Sequence, residues 1–125
     1  MTAQLRATLF YRSAEMPERK FPKGIEIFQM DGHVEGYCVF VYESPMVGIC
    51  IVGDHIIIDL SDYRDPGDDL KLKNNLLTLE VTGRNFLLAN SCLEIEASSP
   101  IAFESWQHFG LVADALAYIP ELRFV

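Results

Sequence analysis

The sequence predicts an α+β fold: a mostly antiparallel β-sheet of six to eight strands, free to curve, with one long C-terminal helix packed on a face. Three observations lead there. Residues 4–12 alternate, with Leu5, Ala7, Leu9 and Tyr11 on one side and Arg6, Thr8, Phe10 and Arg12 on the other, the period of a half-buried strand. Two-residue turn signals, Asp31-Gly32 and Gly53-Asp54, punctuate the apolar runs of the first half, as hairpins require. A sustained stripe at helical spacing comes late: Ala102, Trp106, Phe109, Ala113 and Leu116, widened by Phe103, Gly110 and Ala117. Strands first and a helix afterwards is the α+β order.

Each element follows in turn. After the strand at 4–12, residues 13–23 hold two prolines and five charges and read as a long exposed connection. Residues 25–30 resume strand character and run into Asp31-Gly32, the pair suited to a type I′ turn, in which both central residues take positive φ. Residues 36–42 and 46–52 are apolar on both faces and are expected as central, doubly covered strands. Gly53-Asp54 then turns the chain into a strand at 55–60, and 61–69 is an acidic loop.

The next hairpin, 76–82 with 86–97, poses a choice of turn. A two-residue turn at Gly83-Arg84 puts Phe86 and Leu88 on the opposite face from Leu93 and Ile95. A three-residue loop, Gly83-Arg84-Asn85, keeps Leu87, Ala89, Ser91, Leu93, Ile95 and Ala97 together, and register follows the buried face. Ser99-Pro100 reads as a helix start, Ser at the N-cap and Pro at the first helical position, and Pro120 ends the helix over 100–119. Residues 121–125 are expected to add a short edge strand. No repeat or linker divides the 125 residues, so a single domain spanning 1–125 is expected, large enough to bury a core without disulfides or metals.

Charge is the most informative feature for function. Ten of the eighteen acidic residues fall between Gly24 and Leu70, where Arg64 is the one basic residue, giving that block a net charge of −9. The first 23 residues carry +3 and the last 55 carry −2, which together make the chain's −8. Such asymmetry favours a basic partner and repels nucleic acid and anionic membrane. The chain is 50% hydrophobic, too apolar to remain disordered. Neither a leader-like apolar run at the start nor an apolar stretch long enough to span a bilayer is present in the sequence. Cys38, Cys50 and Cys92 are odd in number and lie in apolar surroundings, which reads as reduced core thiols in a cytoplasmic protein.

The motifs that would carry chemistry are weak. The cluster Asp59, Asp62, Asp65, Asp68 and Asp69 is rich in the oxygen ligands of hard cations. The calcium-loop spacing fails, however: a start at Asp59 puts Ser61 and Tyr63 at ligand positions, and a start at Asp62 puts Arg64 there. The three cysteines with His33, His55 and His108 form no C-x₂₋₄-C or H-x₃₋₅-H pair, so no metal or cofactor is expected. There is no G-x-S-x-G elbow and no glycine-rich phosphate loop. Glu94 and Glu96 sit two apart on one strand face, the spacing any solvent-facing strand gives. Glu104 and His108, four apart, form a helical pair whose strip continues through Leu111, Ala115 and Tyr118.

The first expectation is a non-enzymatic acidic binding protein that neutralises or docks a basic protein. Immunity proteins and antitoxins act in this way against cationic toxins such as nucleases. The residues assigned to partner binding are Asp59, Asp62, Asp65, Asp68 and Asp69, with Tyr63 as an aromatic anchor. Two alternatives stand beside it. One is a small enzyme or ligand-binding domain with a pocket between sheet and helix, using His108, Glu104 or His55. The other is a structural or regulatory subunit that forms a homodimer through the strip Glu104, His108, Leu111 and Tyr118.

Overall fold

The computed structural model describes residues 2–21 and 25–125. They form an α+β domain of seven strands and one α-helix. The strands are β1 (Thr2–Ser13), β2 (Ile25–Met30), β3 (His33–Glu43), β4 (His55–Asp59), β5 (Leu76–Leu87), β6 (Cys92–Ser98) and β7 (Arg123–Phe124); α1 is Trp106–Ala117. Across the sheet the order is β2-β3-β1-β6-β5-β4, with β7 also on β3.

Strand β1 alternates as its sequence requires, burying Ala3, Leu5, Ala7, Leu9 and Tyr11. It pairs antiparallel with β3 and parallel with β6, so the sheet is mixed, although antiparallel ladders predominate. Covering the inner face is α1, through the buried Phe109, Val112, Ala113, Ala115 and Leu116. The ring of Phe109 meets three others, Tyr11, Phe21 and Phe103, at centroid distances of 5.6, 5.7 and 5.8 Å.

The sheet is strongly curled. In a flat sheet β3 and β4, four places apart, would lie about 19 Å from each other at the usual strand spacing. Here Phe40 and Tyr42 of β3 line the same cavity as Ile56 and Ile58 of β4. Curling around α1 brings β3 toward the edge strand β4, and Ile119 and Leu122 after the helix line the floor between them.

Several expectations are corrected. Residues 46–52 are not a strand. Ser44 accepts a hydrogen bond from the Met46 amide, and Pro45 opens a short 3-10 helix, Pro45–Ile49. On its way from β3 to the far edge at β4 the chain passes over Ala3 of β1 and Leu93 of β6, where Gly48 lies close to both. Arg84 fastens the crossing by donating to the carbonyls of Gly48 and Cys50 at 2.7 and 2.9 Å.

The loop at Gly83-Arg84-Asn85 is not a turn either. β5 continues to Leu87, and the chain reverses at 88–91, where Ser91 takes φ +47°. A bulge at Thr82 shifts the register from Val81↔Ala97 to Gly83↔Glu96. That one extra residue brings Arg84 and Phe86 to the face of Val81 and Ile95, resolving the facing conflict that the longer loop was meant to solve.

The helix is short, 12 residues, and begins at Trp106 rather than Pro100. The free edge of β1 captures the expected start: Ser99 N donates to Thr8 O, Phe103 N to Phe10 O, and Arg12 N to Phe103 O. Ser99 is buried with its hydroxyl accepting from Phe10 N. At the first hairpin only Gly32, at φ +76°, takes positive φ, so the Asp31-Gly32 turn is not type I′.

The connection at 13–23 is only partly exposed. Arg19 and Phe21 dock on α1, while Pro22 and Lys23 lie outside the described residues. The terminal edge strand forms as expected, β7 pairing Phe124 with Phe40. Among the described residues no helix is long and apolar enough to cross a membrane.

Candidate functional site

The acidic loop is a built structure. Leu60 and Leu70, both fully buried in the core cluster that contains Val112 and Leu116, anchor its two ends. Two of its carboxylates hold turns. Asp59 accepts from the Ser61 hydroxyl at 2.6 Å and the Ser61 amide at 2.9 Å, which hold its carboxyl below the usual range. Asp69 accepts from the Lys71 amide at 2.9 Å and pairs with the Lys71 ammonium at 3.0 Å. Those bonds, with the Lys71 ammonium, lower its carboxyl as well. Asp68 is half-buried and its carbonyl accepts from Arg64 Nη1 at 2.8 Å, while Arg64 Nε is buried without a partner among the described residues. The block's one cation is therefore turned into its own loop.

Asp62 and Asp65 remain, exposed and, among the described residues, in no ion pair or side-chain hydrogen bond. Tyr63 is half-buried and packs on the core, so its ring is partly spent on the fold.

Ahead of these charges in the sequence the chain exposes large apolar side chains. Met46, Ile49, Ile51, Val52 and Ile57 are each 59–73% exposed, all within the segment 43–69 that also carries seven acidic residues against Arg64. A second apolar patch, which the sequence reading missed, lies on the outer face, where Phe28 stacks on Tyr37 at 5.7 Å beside Phe10.

Between β3 and β4 lies a cavity of about 330 Å³. Its walls are apolar: Leu5, Phe40, Val47, Ile119 and Leu122, with Tyr42, Ser44 and Tyr63 as polar contributors. Ile56, Ile57, Ile58 and Asp59, four consecutive residues of β4, line it. Alternate side chains of a strand point to opposite faces, so lining by consecutive residues means that the cavity runs along the edge of β4.

That edge is open. Val81 N donates to Asp54 O and Leu60 N to Asn75 O, each at 2.8 Å, which fixes the phase of the β4–β5 ladder. Ile56 and Ile58 turn their backbone groups toward β5, and His55, Ile57 and Asp59 turn theirs outward. No strand among the described residues pairs with that side.

The helix strip is not assembled as expected. Glu104 precedes α1, so it forms no helical pair with His108. Leu111 packs on the core cluster, Ala115 is buried, and Tyr118 is exposed at the C-cap. The expected pocket residues His108, Glu104 and His55 do not line the cavity between β3 and β4. Glu94 and Glu96 lie in register with Gln4 and Arg6 of β1, a cross-strand pattern that stabilises a sheet face. Among the described residues no three His, Cys, Asp or Glu side chains gather as a metal site needs. Comparison with family models, curated proteins and solved structures finds no match to the chain.

Proposed function

We propose that this protein is an acidic binding protein, without turnover of its own, that docks or neutralises a basic protein in the manner of immunity proteins and antitoxins. One observation carries the reading. The segment 43–69 carries seven acidic residues against Arg64, densest at 59–69, and the part of it that leads into them exposes Met46, Ile49, Ile51, Val52 and Ile57. Apolar contacts ringed by charge are the anatomy of protein interfaces. The carboxylates accelerate encounter with a cationic surface, and the apolar side chains hold the complex once water is expelled.

Asp62 and Asp65 are the carboxylates best placed to steer a partner, because Asp59 and Asp69 also hold turns. The test is capture of partners from the native lysate, followed by kinetics with the one recovered. A basic protein is expected. Asp62→Asn with Asp65→Asn should slow association several-fold and leave dissociation and melting temperature nearly unchanged. Recovery of only acidic or neutral partners, or unchanged association, would overturn the proposal.

A further inference from the structure

We propose that the slot along β4 receives an extended segment of the basic partner, which adds to the sheet as an eighth strand. The inference rests on the reading of a basic partner and names how that partner is held. His55, Ile57 and Asp59 direct their N–H and C=O groups to the slot side, and an incoming antiparallel strand pairs with them. In such additions main-chain hydrogen bonds supply affinity and pockets for alternate side chains supply selectivity.

The cavity specifies those side chains. At about 330 Å³ it sits at the small end of ligand cavities, which run from roughly 300 to 1,000 Å³, and takes side chains rather than a folded element. Phe40, Val47, Ile119 and Leu122 make its interior apolar, so inward positions of the strand are aliphatic. Outward positions lie beside His55, Ile57 and Asp59, with Asp54 just before β4 and Asp62 three residues beyond its end. Glu43 is already paired with Arg123 at 4.0 Å. Lysine or arginine therefore fits the outward positions. A second copy of the chain brings the same acidic rim and a net charge of −8, so charge complementarity selects a basic segment over self-pairing.

The probe is a blocked heptapeptide, Lys-Val-Lys-Val-Lys-Val-Lys, titrated into the protein at low salt and followed by amide NMR. Shifts and slowed hydrogen exchange are expected at His55, Ile57 and Asp59. In antiparallel register the lysine nitrogens face β4. N-methylation of the two central lysines keeps charge and valines, yet should weaken binding about tenfold or more through lost hydrogen bonds. Ile57→Pro removes an outward N–H without touching the β5 ladder and should weaken the parent peptide similarly, with circular dichroism reporting the fold. If that variant unfolds, the N-methyl comparison on the native chain decides.

Equal affinity for both peptides, or shifts confined to residues 61–69, would overturn the slot and leave the acidic-surface reading standing. A dimer abolished by Ile57→Pro, with no peptide binding, would assign the slot to a second copy and overturn the proposal. Failure of both the peptide and polylysine to bind would remove the slot and the basic-partner reading together.

Discussion

Arg19 and Asp114 meet in a two-point ion pair, Nη1 to Oδ2 at 3.1 Å and Nη2 to Oδ1 at 3.0 Å, which ties the connection after β1 across α1. The guanidinium also lies over the Phe21 ring, 5.3 Å from its centroid. Both side chains are about a third exposed, 34% and 38%. Asp114→Asn should therefore cost no more than about 1 kcal/mol, as exposed pairs do. A double-mutant cycle with Arg19→Met in urea measures the coupling.

Phe109 is the stronger anchor. It is fully buried and touches three other rings. Phe109→Ala should cost about 3–5 kcal/mol, read from the shift in the urea midpoint. Trp106→Ala, at a half-buried position, should cost less.

Gly36 faces β2 at a distance no side chain tolerates. A Cβ there would collide with Ile27 Cδ1 and stand 2.9 Å from the Glu26 carbonyl oxygen. The isoleucine can swing away; the backbone oxygen moves only if β2 does. Gly36→Ala should cost about 1–3 kcal/mol as overpacking. Faster hydrogen exchange in β2 than in β1 would locate the damage.

Cys38 is buried, and burial pushes its thiol up from 9.0 to about 12. The thiol is neutral when protonated, so the fold favours the protonated form. Its contribution is complete below pH 9 and is lost as pH rises toward 12. Wild type should lose more stability than Cys38→Ala between pH 8.5 and 10.5, a difference that removes the tyrosines common to both. Native protein at pH 8 should label at half-buried Cys50 before Cys38.

Much of the fold was legible because burial on one face leaves a period. β1 and the β2–β3 hairpin show it, and the stripe of Phe109, Ala113 and Leu116 marks the core side of α1. The errors share a cause: local signals lost to distant partners. Ser99-Pro100 carries a sound helix start, but β1 offered hydrogen bonds from residues about ninety positions away. The run at 46–52 has strand composition, yet the path from β3 to β4 and the Arg84 clamp made it a crossing. A bulge leaves no compositional mark, so the sequence points to a turn near Gly83 where β5 in fact runs on to Leu87. Likewise the acidic block is plain in the sequence, whereas the slot exists only because the curl brings Phe40 and Tyr42 opposite Ile56 and Ile58.

The parallel pairing of β1 with β6, Thr2↔Cys92 through Thr8↔Ser98, has a consequence for biosynthesis. At about 5–20 residues per second, β6 leaves the ribosome some 5–20 seconds after β1. During that interval β3 can zip onto one side of β1 while the other side, along Leu5, Ala7 and Leu9, waits without its neighbour. A half-made sheet with an apolar strand at its margin recruits strands from other chains. The half-made sheet is therefore exposed to aggregation while it waits for β6, and slower translation should lower the yield of folded protein.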